Sequence, residues 1–223
     1  MQKFDTPSPV TAVLDIPAGR IQFIAADRTD TCVEILPADK SKSRDIKAAE
    51  HVTVAYADGV LRIEAAAAKN RILGNSGSVE VTVQLPAGSH VEAKTAAGEL
   101  RGVGRLGNVT FEGAQAVVKL DETESARLTL QAGDILVGRL TGPAQISTQK
   151  GDLNIAEATS GTVELRTESG DITIGAANGA SATLDAGTTY GRIHNTLKNT
   201  DGATAGLNIQ ATTAHGDITA RSL

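Results

Sequence analysis

Five carboxylates follow glycines at nearly regular spacing, and they are the residues best placed to do chemistry. They are Glu99, Asp134, Asp152, Asp171 and Asp217, standing after Gly98, Gly133, Gly151, Gly170 and Gly216. If the chain is a stacked repeat, residues of equal phase lie one above another, and a file of carboxylate oxygens suits Ca²⁺. Val117 and Arg192 interrupt that file, however. The glycine-rich nine-residue repeat of calcium-binding β-rolls is also absent. A turn role accounts for the same residues without a metal. Glycine supplies a backbone angle that other residues resist, and the acid accepts a hydrogen bond from a nearby backbone N–H. Gly98, Gly133, Asp134, Gly151, Asp152, Gly170, Asp171, Gly191, Gly216 and Asp217 are therefore read as structural repeat turns, with no metal, cofactor or catalytic role.

A second file, Thr95, Thr148, Thr167, Thr188 and Thr213, lies three residues before Gly98, Gly151, Gly170, Gly191 and Gly216. An outward array of threonines can bind an ordered surface. The phase of these residues puts them with the inner set, where a β-branched side chain fills a corner and its hydroxyl finds a carbonyl. His51, His90, His194 and His215 form no metal-ligand spacing, and no nucleophile-elbow, phosphate-loop or dinucleotide signature opens a helix. Cys32 lies in the strand-like Thr31-Cys32-Val33-Glu34-Ile35 and reads as a small hydrophobe.

What must position these residues is a repeat. The glycine, acid and Ile or Leu triplet recurs at Gly98, Gly133, Gly151, Gly170 and Gly216, with Gly191-Arg192-Ile193 a variant and Ala116-Val117-Val118 a degenerate copy. The steps between copies are 18, 17, 18, 19, 21 and 25 residues. Counting back seven, five and three from each copy gives apolar, Gly or Thr residues throughout, for example Val163, Leu165 and Thr167. Counting forward two and four gives pairs such as Leu153/Ile155 and Ile172/Ile174, and only Asn195 departs. Period two means strands with one face buried. Two such strands per repeat predict an all-β parallel β-solenoid of about seven rungs over residues 88–223, stacked in sequence order. On that order the final rung at Gly216 ends the stack with no evident cap, unless a partner or a non-sequential strand covers that edge.

Residues 1–87 repeat less cleanly and read as a β-rich N-terminal cap or small β-domain continuous with the solenoid. Ala12/Leu14/Ile16 and Ile21/Phe23 flank Gly19, and Val52/Val54/Tyr56 and Leu61/Ile63 flank Gly59, in the phase of the later repeats. The polar stretches 39–50 and 69–78 read as loops, and no segment reads as a helix.

Composition agrees. Aromatics are 2% and there is no Trp, while Gly numbers 23; this suits thin layers of Val, Ile, Leu, Ala and Thr joined by tight turns. A net charge of −5 without a basic stripe argues against nucleic-acid binding. The single cysteine excludes an internal disulfide. The first residues lack an apolar signal core, and no run of about 18 apolar residues spans a membrane. The chain as given is expected to be cytoplasmic, and an envelope association is compatible with it.

The repeated Thr-x-x-Gly-Asp-Ile/Leu, as in Thr167 to Ile172, and the Leu85-Pro86-Ala87-Gly88 turn resemble a large bacterial family of β-strand-repeat proteins known as putative adhesins, the domain-of-unknown-function 4097 type. The resemblance covers most of the chain. It implies a β-helical fold linked to the bacterial envelope, and no catalytic residues or cofactor. The expectation is a non-catalytic binding or scaffold protein whose partner is a protein or an envelope component. The alternatives are a self-assembling structural element joined through solenoid ends and, with few aromatics to stack on sugars, a carbohydrate-active enzyme.

Overall fold

The computed structural model describes residues 1–65 and 77–223. The chain is all-β apart from one α-helix and one short 3₁₀ turn. Its strands are β1 (Gln2–Asp5), β2 (Thr11–Asp15), β3 (Ala18–Ala26), β4 (Asp30–Pro37), β5 (Val52–Ala57), β6 (Val60–Ala65), β7 (Val79–Pro86), β8 (His90–Ala132), β9 (Ile135–Leu140), β10 (Ala144–Lys150), β11 (Leu153–Ala158), β12 (Gly161–Ser169), β13 (Ile172–Ala176), β14 (Ala182–Tyr190), β15 (Ile193–Thr196), β16 (Leu207–His215) and β17 (Ile218–Ser222). β8 is one extended run of 43 residues that turns its corners without breaking.

Beyond residue 88 every pairing between strands is parallel and in phase with the repeat. Ile146 lies beside Leu128 on one side and Leu165 on the other, and Leu153 lies between Ile135 and Ile172. The alternation places Leu128, Ile146, Val163, Leu165, Ile135, Leu153, Ile172 and Ile174 at 2% exposure or less. Each coil buries one face of two strands against its own partner strand and against the coils on either side. This is how a core of small aliphatics excludes water without large rings.

Where the repeat departs from its own pattern, packing gives the reason. The two fully buried aromatics, Phe23 and Phe111, each meet a glycine at an inward position. Phe23 lies directly across from Gly102. A β-carbon on Gly113 would come 3.0 Å from the ring of Phe111. A large side chain in a thin layer requires a missing one beside it.

The stack does not follow sequence order. β12 and β14 both pair with β16, and β13 and β15 both pair with β17. The last repeat of the chain is therefore inserted between the two that precede it, and the coil at the end of the stack is β14–β15. The Gly216 rung is not the exposed end: strands out of sequence order, β14 and β15, cover it. All repeats share one inner pattern, so each is a suitable neighbour for any other, and the 25-residue step from Gly191 to Gly216 gives the chain length to cross over. The same exchange occurs at the other end, where β2 pairs with β6 and β8, and β3 with β7 and β8.

Two readings of the N-terminal part need correction. Val52–Ala57 and Val60–Ala65 form an antiparallel hairpin rather than a coil in phase with the repeat. Asp58 and Gly59 both have positive φ, 51° and 78°, the two-residue turn that an Asp-Gly pair favours. Part of the polar stretch 39–50 is helix α1 (Ser43–Glu50), whose Ala48 and Ala49 pack against the core. Its polar sequence conceals a narrow apolar contact. The 69–78 stretch lies mostly outside the described residues. Antiparallel β4 covers β7, and β1 covers β4 in turn.

Candidate functional site

The predicted turn residues are brought into one column, and the carboxylates are employed there. Asp134 Oδ1 accepts the backbone N–H of Asp152 at 2.9 Å, Asp152 Oδ1 that of Asp171 at 2.8 Å, and Asp171 Oδ1 that of Asp217 at 2.8 Å. Asp217 Oδ1 in turn accepts the backbone N–H of Arg192 at 2.8 Å, and the Arg192 guanidinium donates to its other oxygen at 3.0 Å. Each acid thus caps the next coil, and the arginine that interrupts the motif closes a run of like charges with a cation. At the far end Glu99 meets Arg20 at 3.5 Å and Lys119 at 3.9 Å. The glycines let the coils approach: a β-carbon on Gly151, Gly216 or Gly191 would stand 2.1, 2.0 or 1.9 Å from the carbonyl oxygen of the glycine beneath. Among the described residues no group of His, Cys, Asp and Glu is arranged to hold a metal ion.

The Arg192 backbone N–H, and after it the guanidinium, hold the Asp217 carboxyl below its ordinary range. A depressed folded value means that the contribution is complete above the unfolded value and is lost as pH falls through the folded one. Asp217→Asn is therefore expected to lower the urea midpoint at pH 7, and the gap from wild type closes as pH drops below about 4. Parallel urea titrations at the two pH values check this.

The inner threonines are likewise occupied. Thr167 donates to the Gly151 carbonyl at 3.1 Å, Thr213 to that of Gly170 at 3.1 Å, and Thr188 to that of Gly216 at 3.0 Å. Thr95, Thr148, Thr167 and Thr213 are buried, so they present no outward array. The histidines stay apart: His90 Nδ1 accepts the Asn108 backbone N–H at 2.9 Å, and His215 stacks on Tyr190 with ring centroids 5.1 Å apart.

One polar cluster is missed by sequence reasoning. Arg28 Nε reaches Asp30 at 2.7 Å, Lys3 Nζ reaches the same carboxylate at 3.0 Å, and Arg28 also donates to Gln84 and to Cys32 Sγ. Hydrogen bonds from Arg28 first and Lys3 second hold the Asp30 carboxyl far below the usual carboxylate range. The Arg28/Asp30/Cys32 spacing was visible in the sequence. The approach of Lys3 and Gln84 depends on the antiparallel β1–β4–β7 pairing and was not.

What remains exposed is the outer face of the ladder that precedes the glycines, where Gln145 donates to Glu164 at 3.4 Å. Arg127, Gln145, Glu164, Gln210 and Asp185 form one column there, in register across five coils. Thr129, Ser147, Arg166 and Thr212 form the next. A shallow groove of about 440 Å³ opens along this face between Asn108, Arg127, Pro143, Gln145 and Glu164. A second groove lies beside α1, where Asp45, 4% exposed, accepts the Ser78 backbone N–H at 3.0 Å. Ser41, with Lys42 behind it, draws Asp39 on its rim down to about 2. Among the described residues no helix is long and apolar enough to cross a membrane.

Comparison with known proteins bears on the fold. The family model described as Toastrack DUF4097 matches residues 75–221. Similar solved structures include a "putative lipid binding protein" from Parabacteroides distasonis, at 12% identity and TM-score 0.50, covering 98% of this chain and 95% of that one. They also include a "putative adhesin" from Bacteroides fragilis, at 12% identity and TM-score 0.48 over 98% and 95% of the two chains. A second "putative adhesin", from Parabacteroides distasonis, has 13% identity and TM-score 0.47 over 100% and 95%. No curated protein matches the chain.

Proposed function

Because this chain belongs to the Toastrack DUF4097 family, we propose that it is a non-catalytic β-solenoid that binds or scaffolds through its outer face, in the manner of an adhesin. The carrying observation is the use of its chemical groups. The repeat acids, Asp134 to Asp217, are bonded to the coil above, and the inner threonines to glycine carbonyls. The side chains left to meet a partner are the exposed Arg, Glu, Gln and Thr of the outer columns. Repetition at about 4.8 Å makes such a face suited to an extended polar partner, a protein or an envelope polymer. Its groove is open and polar, which favours that partner over a lipid tail.

The test is binding of the purified chain to immobilised envelope fractions, polysaccharide and protein separately, with turnover of the polysaccharide assayed alongside. Retention without turnover is expected. The variant Arg127→Glu/Arg166→Glu is expected to lose at least about tenfold in affinity with its circular dichroism unchanged. Retention by neither fraction, or cleavage of the polymer, contradicts the proposal.

A further inference from the structure

The coil at the end of the stack is built like an interior one and is covered only at the start of β14, where the Ala182 N–H donates to the Lys198 carbonyl at 3.1 Å. Ile193 is 46% exposed, whereas the residues of the same phase, Ile218, Ile172, Leu153 and Ile135, are 1% exposed or less. Leu184 and Ala186 are half-buried, where their counterparts Ile209 and Ala211 are buried. Among the described residues β14 pairs only with β16 and β15 only with β17, so beyond Ala182 both strands carry an open backbone edge. An apolar edge of this kind recruits another strand. Tyr190, 68% exposed, adds a large ring at its margin.

Two features indicate what fits there. The carboxylate relay stops at Arg192, which offers no acceptor to a further parallel coil, so continuation of the stack in the same direction is disfavoured. The charges of the end coil are also divided. β14 carries Asp185 and no base, while residues 192–198 carry His194, Lys198 and Arg192, the last already paired with Asp217, and no acid. A two-fold axis across the end would lay β14 antiparallel on the β15 of another copy, acid against base and edge against edge.

We propose that the β14–β15 end is a self-docking surface, through which a second copy of this chain pairs about a two-fold axis to give a closed dimer. The opposite end carries the antiparallel strands β1, β4 and β5 together with α1, a different surface, so the pairing closes rather than propagating. Absolute mass by light scattering during size exclusion tests this over a wide concentration range. The expected result is a monomer–dimer equilibrium that never exceeds two chains. Ile193→Lys is expected to be monomeric with unchanged circular dichroism, and Asp185→Lys, on the exposed face, to weaken association about tenfold. If Ile193→Lys does not fold, Asp185→Lys decides alone. A monomer at every concentration, a mass that rises beyond two chains, or dimerisation unaffected by Asp185→Lys overturns the proposal.

Discussion

Gly170→Ala is expected to destabilise the protein by about 4 kcal/mol or more, a loss larger than most single substitutions produce. The backbone of Gly170 sits at φ +151°, and a β-carbon there would stand 2.0 Å from the Gly151 carbonyl oxygen. No rotamer relieves that overlap, because both atoms belong to the main chain. Relief requires coils to separate, and the separation stretches several bonds together. Gly151 N–H donates to Ser169 O and Leu153 N–H to Asp171 O, each at 2.9 Å. The Asp152 carboxylate must also let go of the Asp171 N–H. Gly206→Ala is the control: its β-carbon would meet nothing within 4 Å, and its effect should stay within about 0.5 kcal/mol. Urea unfolding of the two variants beside wild type checks both values.

The second large effect belongs to Phe111→Ala, expected to cost about 3–5 kcal/mol. Phe111 is fully buried, and its layer is built around it: a β-carbon on Gly113 would lie 3.0 Å from the ring and 2.8 Å from Leu130. The neighbours that could fill the resulting cavity are strands fixed by parallel ladders on both sides, so the site collapses little. Val109→Ala in the same strand removes less volume and is expected to cost less than Phe111→Ala in the same assay.

These effects also show what the sequence could convey. The phase of the inner residues was legible because period-two alternation and burial have a common physical cause. Leu128, Ile146, Leu165 and Ile172 are all where the alternation puts them. The Gly-Asp corner was legible as a turn, though not its direction across coils: nothing in Gly170-Asp171-Ile172 says that the carboxylate bonds the coil beyond. Gly102 and Gly113 look like defects in the alternation until Phe23 and Phe111 are seen beside them. Helix α1 was hidden by its polarity, and the Asp58-Gly59 hairpin by its resemblance in phase to a repeat corner. Neighbour identity was not legible at all. Repeats with interchangeable inner faces do not specify which lies on which, so the chain's final strands were expected at an edge that β14 and β15 occupy. The site was legible to the same degree. The columns of the outer face follow from phase, whereas the open end depends on the crossover.

The out-of-order stack is the claim on which the exposed end rests, and engineered disulfides test it most directly. In a Cys32→Ser background, Thr173→Cys with Thr219→Cys places thiols on strands that pair in register, and Thr173→Cys with His194→Cys places them one coil further apart. Adjacent strands are about 4.8 Å apart and alternate ones about 10 Å, and a disulfide closes only when the α-carbons lie within about 7 Å. Under mild oxidation the first pair should form an intramolecular bond rapidly and the second should not. Rapid intramolecular closure of the 173–194 pair, with the 173–219 pair remaining reduced, would mean that the coils stack in sequence order and that the open end is not β14–β15.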